Sequence, residues 1–167
     1  DTPDSVSPAD FERQMRYLCQ NGYRALSADE LYDHLVRGIP VPSRSVVIAF
    51  DDGRATLWTV VYPILKKHGL RAVSFLVPST MPETGIRPTL AEYQAGKRVS
   101  LAEVFGADLS DTPSITWGEA RAMHASGLVD FQSHTLDHAL IYFTPEIVDF
   151  VNPAHSRGAM KCHKQRF

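Results

Sequence analysis

The sequence predicts an α/β fold with a parallel sheet, and the main reason is a helical stripe that lies between two apolar runs. Residues 46–50 (VVIAF) and 72–77 (AVSFLV) are apolar runs of strand length, and the stripe between them extends from Leu57 to His68. A succession of this kind within roughly 30 residues is a βαβ unit, whose strands lie parallel. Because the first run is almost continuously apolar, we expect it to be buried on both faces.

Two helices are predicted before this unit. The first begins at Pro8, carries apolar residues at helical spacing, and ends before Asn21-Gly22. The second begins at a capping box formed by Ser27 and Glu30 and ends before Gly38. The chain therefore alternates helices and strands from its start.

A long polar segment follows the unit. Residues 78–115 are rich in Pro, Gly and polar side chains, with one short helix predicted at SLAEVFG, and we expect an insertion over one end of the sheet. Thr116 and Glu119 then form another capping box, and residues 128–134 (LVDFQSH) return to strand character.

Composition excludes several classes of protein. With 167 residues, 44% hydrophobic content and a net charge of −2, the chain suits one globular domain without a basic surface for nucleic acid or anionic lipid. No apolar run is long enough to span a membrane, and the polar start DTPDSVSPAD has no signal-peptide pattern. Cys19 and Cys162 are too few for a disulfide scaffold, and Cys19 is expected to be buried in the first helix.

Titratable side chains follow two of the predicted strands at the point where each strand ends. Asp51 and Asp52 precede Gly53 after the first strand, and His134 and His138 follow the last. Because loops at the carboxyl ends of parallel strands share one face of the sheet, we expect these groups to lie close together.

These residue types are suited to a catalytic metal ion. One carboxylate and two imidazoles leave coordination positions open, and the second carboxylate is then free to act as a base on water. Taken alone, an Asp-Asp-Gly sequence is more often a turn or a helix cap, and His-x-x-x-His is often a solvated face. Their joint placement at strand ends favours the metal site.

The stretches VVIAFDDG and SHTLDH resemble the first two motifs of the polysaccharide deacetylases, the fourth family of carbohydrate esterases, which share the NodB homology domain. The flanking stretches SPADFERQMRYLCQNGYRALSADELYDHL and PILKKHGLRAVSFLVPS are also similar to that family. The resemblance covers roughly residues 5–140, with a long segment before the second motif.

The resemblance implies a distorted (β/α), TIM-like barrel of the polysaccharide deacetylase type, which this chain would leave incomplete at its C-terminal end. Residues 1–167 would be a single catalytic domain containing the N-terminal two thirds of the family domain, with 78–115 as an insertion-like loop region. The implied activity is metal-dependent hydrolysis of N-acetyl groups on N-acetylglucosamine-containing polysaccharide. The resemblance also favours an extracytoplasmic location, and it leaves the oligomeric state open.

Carried over position by position, the resemblance implies Asp51 as the catalytic base and Asp52, His134 and His138 as metal ligands. Thr135 matches a Ser/Thr position whose hydroxyl supports the loop or contacts substrate. The cofactor would be a divalent metal, with zinc favoured by the nitrogen and oxygen ligands and with cobalt, nickel, iron and manganese open.

Later motifs of the family supply an arginine that orients the base and a histidine that acts as the acid. The stretch after His138 contains His155, Arg157, His163 and Arg166, none in a strand pattern that would assign those roles. Two alternatives therefore stay open: a mononuclear non-haem iron enzyme, and a carbohydrate-binding, deacetylase-like module with impaired catalysis. Which polysaccharide is bound is also open.

Overall fold

A computed structural model of the chain describes residues 6–105 and 113–139. Helices and strands alternate as predicted. In chain order they are α1 (Pro8–Gln20), β1 (Arg24–Ala25), α2 (Ala28–Arg37), β2 (Ser45–Val46), β3 (Ala49–Asp52), a π-helical turn (Leu57–Val61), α3 (Tyr62–His68), β4 (Ala72–Leu76), a 3-10 turn (Pro78–Thr80), α4 (Leu90–Gln94), α5 (Leu101–Phe105), α6 (Trp117–Ala125) and β5 (Val129–Ser133).

The strands form two parallel sheets. One has the order β3-β4-β5, with Asp52 beside Leu76 and Leu76 beside Ser133, and the other pairs β1 with β2. This confirms an α/β fold and the parallel βαβ unit. Closure into a barrel stays a prediction.

The predicted strand at 46–50 is divided between the two sheets. Val46 accepts a hydrogen bond from the backbone N–H of Leu26, whereas Ile48 accepts one from that of Val73. The strand changes neighbours between these two residues, so its regular pairing is interrupted. Burial on both faces was wrong for this strand, because no described residue covers the side that carries Ala49 and Asp51, both of which are exposed.

Local hydrogen bonds fix the helix ends where the sequence predicts them. Ser27 and Thr116 each form a complete capping box with the glutamate three residues later. Gly38 and Gly69 adopt the left-handed conformation that ends α2 and α3. Pro63 lies in the first turn of α3, where its missing N–H costs nothing, and the helix restarts there after the π-helical turn.

The core lies between the sheet and its helices. Leu65 of α3, Met123 of α6 and Ile115 just before α6 are each completely buried, and Val73 of β4 is almost so. The expected burial of Cys19 was wrong, because Cys19 is exposed and its Sγ donates to the carbonyl of His68. No described helix is both long and apolar enough to cross a membrane.

The segment between β4 and α6 contains more structure than predicted. Its described part holds the predicted short helix α5 and also α4, which begins at a capping box of Thr89 and Glu92. Arg87 anchors the segment to α6 by donating from its backbone N, Nε and Nη2 to the carboxylate of Glu119, which is completely buried. Because the buried carboxylate accepts three charge-assisted or backbone hydrogen bonds from Arg87, the pair fixes this segment beside the sheet.

Candidate metal centre

Sheet geometry brings the two predicted loops together. β3 ends at Asp52 and β5 ends at Ser133, and both strands pair with β4 at the register of Leu76. Neighbouring strands are about 4.8 Å apart, so the two ends are separated by about 10 Å, which two side chains can span. The backbone N–H of His134 donates to the carbonyl of Leu76 at 2.9 Å and so extends the pairing by one residue.

Three of the predicted site residues converge. Oδ1 of Asp52 lies 3.5 Å from Nε2 of His134 and 3.2 Å from Nε2 of His138, and the two rings are 5.3 Å apart between centroids. Within residues 6–105 and 113–139, this is the one group of His, Cys, Asp or Glu side chains that could hold a metal ion. Asp52 is partly buried, whereas both histidines are exposed.

The convergence requires unusual backbone at two of the three residues. Asp52 and His138 have φ values of +67° and +56°, and in the described part of the chain they are the two non-glycine residues with positive φ. This conformation costs a residue with a side chain about 1–2 kcal/mol. Strain of this kind concentrates at functional sites, where the surrounding structure over-determines it.

Gly53 allows the turn beside Asp52. It has φ +60°, and a Cβ added there would lie 2.7 Å from Cδ2 of Leu76, which is buried in the core. The adjoining backbone is clamped, because the N–H of Ile115 donates to Gly53 and that of Ala55 donates to Pro113. The chain directly after Asp52 is therefore held against residues 113–115.

The loop from His134 to His138 is a turn and not a helix. The hydroxyl of Thr135 accepts a hydrogen bond of 2.8 Å from the backbone N–H of His138. Within the same loop, Leu136 accepts from the N–H of Ser79, which ties the loop to the end of β4. Together these bonds position the His138 ring opposite that of His134.

Asp51 lies apart from this group. Its side chain is exposed, and in the described part of the chain no hydrogen bond or ion pair reaches its carboxylate. It is not one of the three side chains whose ligand atoms lie within 4.8 Å of one another. Asp51 is therefore outside the set of candidate metal ligands.

The donor set fits a divalent metal ion. Two ligand atoms held about 2.0–2.1 Å from a tetrahedral zinc ion are about 3.3 Å apart. The observed separations of Asp52 Oδ1 from the two Nε2 atoms are 3.5 and 3.2 Å. Three protein ligands leave a coordination position open, as in catalytic zinc sites.

A cavity of about 350 Å³ adjoins two of the three residues. Asp52 and His138 line it, together with Arg54, Thr80 and Ser114. The hydroxyl oxygens of Thr80 and Ser114 are 2.6 Å apart. Sequence reasoning missed Arg54, Thr80 and Ser114. Arg54 could have been found from the sequence, since it is a cation directly after Asp51-Asp52-Gly53. Thr80 and Ser114 could not, because they reach the site through loops whose course the sequence does not reveal.

Comparison with known proteins identifies related sequences. The sequence profile of the family described as Polysaccharide deacetylase matches residues 38–157. The poly-beta-1,6-N-acetyl-D-glucosamine N-deacetylase of Escherichia coli is 31% identical over 132 residues, covering 78% of this chain and 18% of the relative. The Staphylococcus aureus protein of the same name is 28% identical over 133 residues, covering 80% of this chain and 38% of the relative.

Solved structures share the fold. IcaB from Ammonifex degensii superposes with a TM-score of 0.60 at 25% identity, covering 82% of this chain and 48% of that one. Streptococcus pyogenes deacetylase PplD, solved in complex with acetate, gives a TM-score of 0.57 at 23% identity, with 80% and 47% covered. The chain spans less than half the length of each of these relatives and structures.

Proposed function

We propose that this chain, which belongs to the polysaccharide deacetylase family, is part of a metal-dependent hydrolase that removes N-acetyl groups from an N-acetylglucosamine-containing polysaccharide. The observation that carries the proposal is the convergence of Asp52, His134 and His138 at the carboxyl ends of parallel strands. Residues 1–167 would belong to one catalytic domain, with 78–115 as its insertion.

Asp52 Oδ1 and the Nε2 atoms of His134 and His138 would hold the cation, for which zinc is the favoured ion. When bound, the cation supplies Lewis-acid polarisation of an acetamide carbonyl and lowers the pKa of water beside it. Thr135 keeps the loop closed by accepting from the His138 N–H, and this loop support is the role we assign to it.

Asp51 is the residue we assign as general base. Its carboxylate is exposed and has no hydrogen bond or ion pair in the described part of the chain, and Asp51 is adjacent in sequence to the proposed ligand Asp52. Asp51 would accept a proton as water attacks the acetyl carbonyl carbon, after which the carbon–nitrogen bond breaks and the amine leaves with a proton. We assign no described residue as the acid for that last proton.

The names of the relatives suggest the substrate. Because the Escherichia coli and Staphylococcus aureus proteins are named as deacetylases of poly-beta-1,6-N-acetyl-D-glucosamine, we take a β-1,6-linked polymer as the first candidate. The same substrate class favours an extracytoplasmic location.

Acetate release tests the proposal. The chain, supplied with Zn²⁺, is incubated with β-1,6-linked N-acetylglucosamine oligomers and, in parallel, with β-1,4-linked ones. We expect release from the β-1,6 oligomers, and we expect Asp51→Asn to retain the metal but lose at least 100-fold in rate, as removal of a general base does.

Three outcomes separate the alternatives. Equal rates for the Asp51→Asn variant and the native chain would remove the role assigned to Asp51. Oligomer binding without acetate release by the metal-loaded chain would favour the impaired carbohydrate-binding module. Turnover that depends on oxygen would favour the iron enzyme.

A further inference from the structure

We propose that Arg54 is a positioning residue of the metal centre, holding Asp52 so that only one carboxylate oxygen faces the metal. The inference rests on the proposed function, because it requires a cation at Asp52, His134 and His138. It adds a residue that acts through a ligand and does not itself bind the metal.

The two oxygens of the Asp52 carboxylate have different neighbours. Oδ1 lies within 3.5 Å of both histidine Nε2 atoms, whereas Oδ2 lies 3.5 Å from Nη2 of Arg54. A carboxylate can bind a metal through one oxygen or through two. An arginine beside Oδ2 favours binding through Oδ1 alone.

The backbone of Arg54 is fixed independently of this ion pair. Arg54 forms an isolated antiparallel bridge with Ser114, and the residues on either side are bonded to Pro113 and Ile115. The guanidinium therefore projects from a held segment, which limits the conformations that it can adopt. Groups bonded to metal ligands in this way orient them and tune the affinity for the metal.

The contact between Arg54 and Oδ2 affects which coordination positions stay open beside the cavity. Arg54, Asp52 and His138 all line it, and a second bond from Oδ2 would take up one of the coordination positions that the three protein ligands leave open. With Oδ2 occupied by Arg54, that position stays available. Arginine suits the task because its charge is permanent and its planar group offers several donors.

The guanidinium also repels the cation, which opposes this effect. Arg54 is 53% exposed, so water and salt screen the repulsion, whereas the contact with Oδ2 is direct. We therefore expect positioning to outweigh repulsion, and the sign of the change in metal affinity distinguishes the two.

The experiment compares four forms of the chain: native, Arg54→Gln, Arg54→Lys and Arg71→Gln. Arg71 is the matched control, because it has the same 53% exposure and pairs with Glu30 at 3.9 Å, away from the site. The readouts are the dissociation constant of Zn²⁺, measured by chelator competition, the visible absorption of the Co²⁺-loaded chain, and the melting temperature without metal.

We expect Arg54→Gln to weaken Zn²⁺ binding about 10-fold, the lower end of the range for such groups, and to change the Co²⁺ spectrum. Arg54→Lys should recover part of the loss, and Arg71→Gln should match the native chain. The melting temperature without metal should be the same in all four.

An unchanged affinity and spectrum in Arg54→Gln would overturn the inference alone, because the native chain would still bind the metal. Tighter binding by Arg54→Gln would also overturn it, by showing that repulsion dominates. A native chain that binds no metal would overturn the proposed function together with the inference.

Discussion

At the scale of single residues, the candidate metal centre depends on backbone that most side chains resist. Asp52 and His138 both adopt positive φ, and Gly53 continues the left-handed turn next to Asp52. Asp tolerates this region better than most residues, because its short polar side chain can form local hydrogen bonds. The sequence Asp-Asp-Gly is therefore suited to the turn as well as to the chemistry.

Gly53→Ala tests this turn. We expect it to lower the free energy of unfolding by about 1–2 kcal/mol through the positive φ, with a further loss because the new Cβ would approach Leu76 Cδ2 to 2.7 Å. The displaced loop should also weaken Zn²⁺ binding. Chemical denaturation and metal titration measure the two effects.

Gly22→Ala is the control for the Gly53 variant. Gly22 has a similar φ of +69°, but a Cβ there meets nothing within 4 Å. Gly22→Ala should show only the cost of the conformation and leave metal binding unchanged. Equal losses of stability in the two variants, with equal metal affinity, would contradict a close fit at Gly53.

At the scale of helices and strands, local signals in the sequence predicted most of the structure. The capping boxes at Ser27 and Thr116 mark where α2 and α6 begin, because each Ser or Thr and its partner glutamate satisfy backbone donors within a few residues. The capping box of Thr89 and Glu92 was present in the sequence too, but α4 was missed because the surrounding polar segment lacked an apolar stripe.

Features that depend on distant partners could not be predicted. The division of the strand at 46–50 arises because Val46 and Ile48 pair with different neighbours. The ion pair between Arg87 and Glu119 joins residues 32 positions apart. Neither leaves a periodic or local pattern, so only the folded chain reveals it.

Glu119→Gln tests how the long segment is anchored. The substitution removes the negative charge of the buried Glu119, which pairs with Arg87. We expect the free energy of unfolding to fall by about 3 kcal/mol, the lower end of the range for breaking a buried ion pair. Glu92→Gln alters an equivalent capping box at the surface and is the matched control, expected to cost less. Equal losses would contradict the importance of burial.

Glu92 also predicts a pH dependence. Its hydrogen bond with Lys97 and those with Thr89 lower the pKa of Glu92 to about 2, below the ordinary value of 4.5. A lowered folded-state pKa contributes stability above pH 4.5 and loses it as the pH falls toward 2. The difference in stability between the native chain and Glu92→Gln should therefore shrink over that interval, as followed by denaturation at each pH. A difference that is constant across it would contradict this account.

At the scale of the whole molecule, sheet order explains why the site could be predicted. Parallel pairing of β3, β4 and β5 brings the ends of β3 and β5 to one edge, so Asp52 and His134 meet although they are 82 positions apart in the sequence (134 − 52). The rule that sites lie at the carboxyl ends of parallel strands was enough to place the three candidate ligands together.

The rest of the site could not be predicted. The cavity wall formed by Arg54, Thr80 and Ser114 depends on how the loops after β3, β4 and α5 pack against each other. The stretch with His155, Arg157, His163 and Arg166, to which the sequence assigned no role, lies outside the described residues.

The most direct test of the account is the location of zinc in crystals of the chain, by anomalous diffraction at the zinc edge. A zinc ion held by these three residues would give one strong peak about 2.0–2.2 Å from Asp52 Oδ1 and from Nε2 of His134 and His138, and the peak would be lost in the His134→Ala variant. A peak at other residues, or an equally strong peak in the His134→Ala crystals, would contradict it.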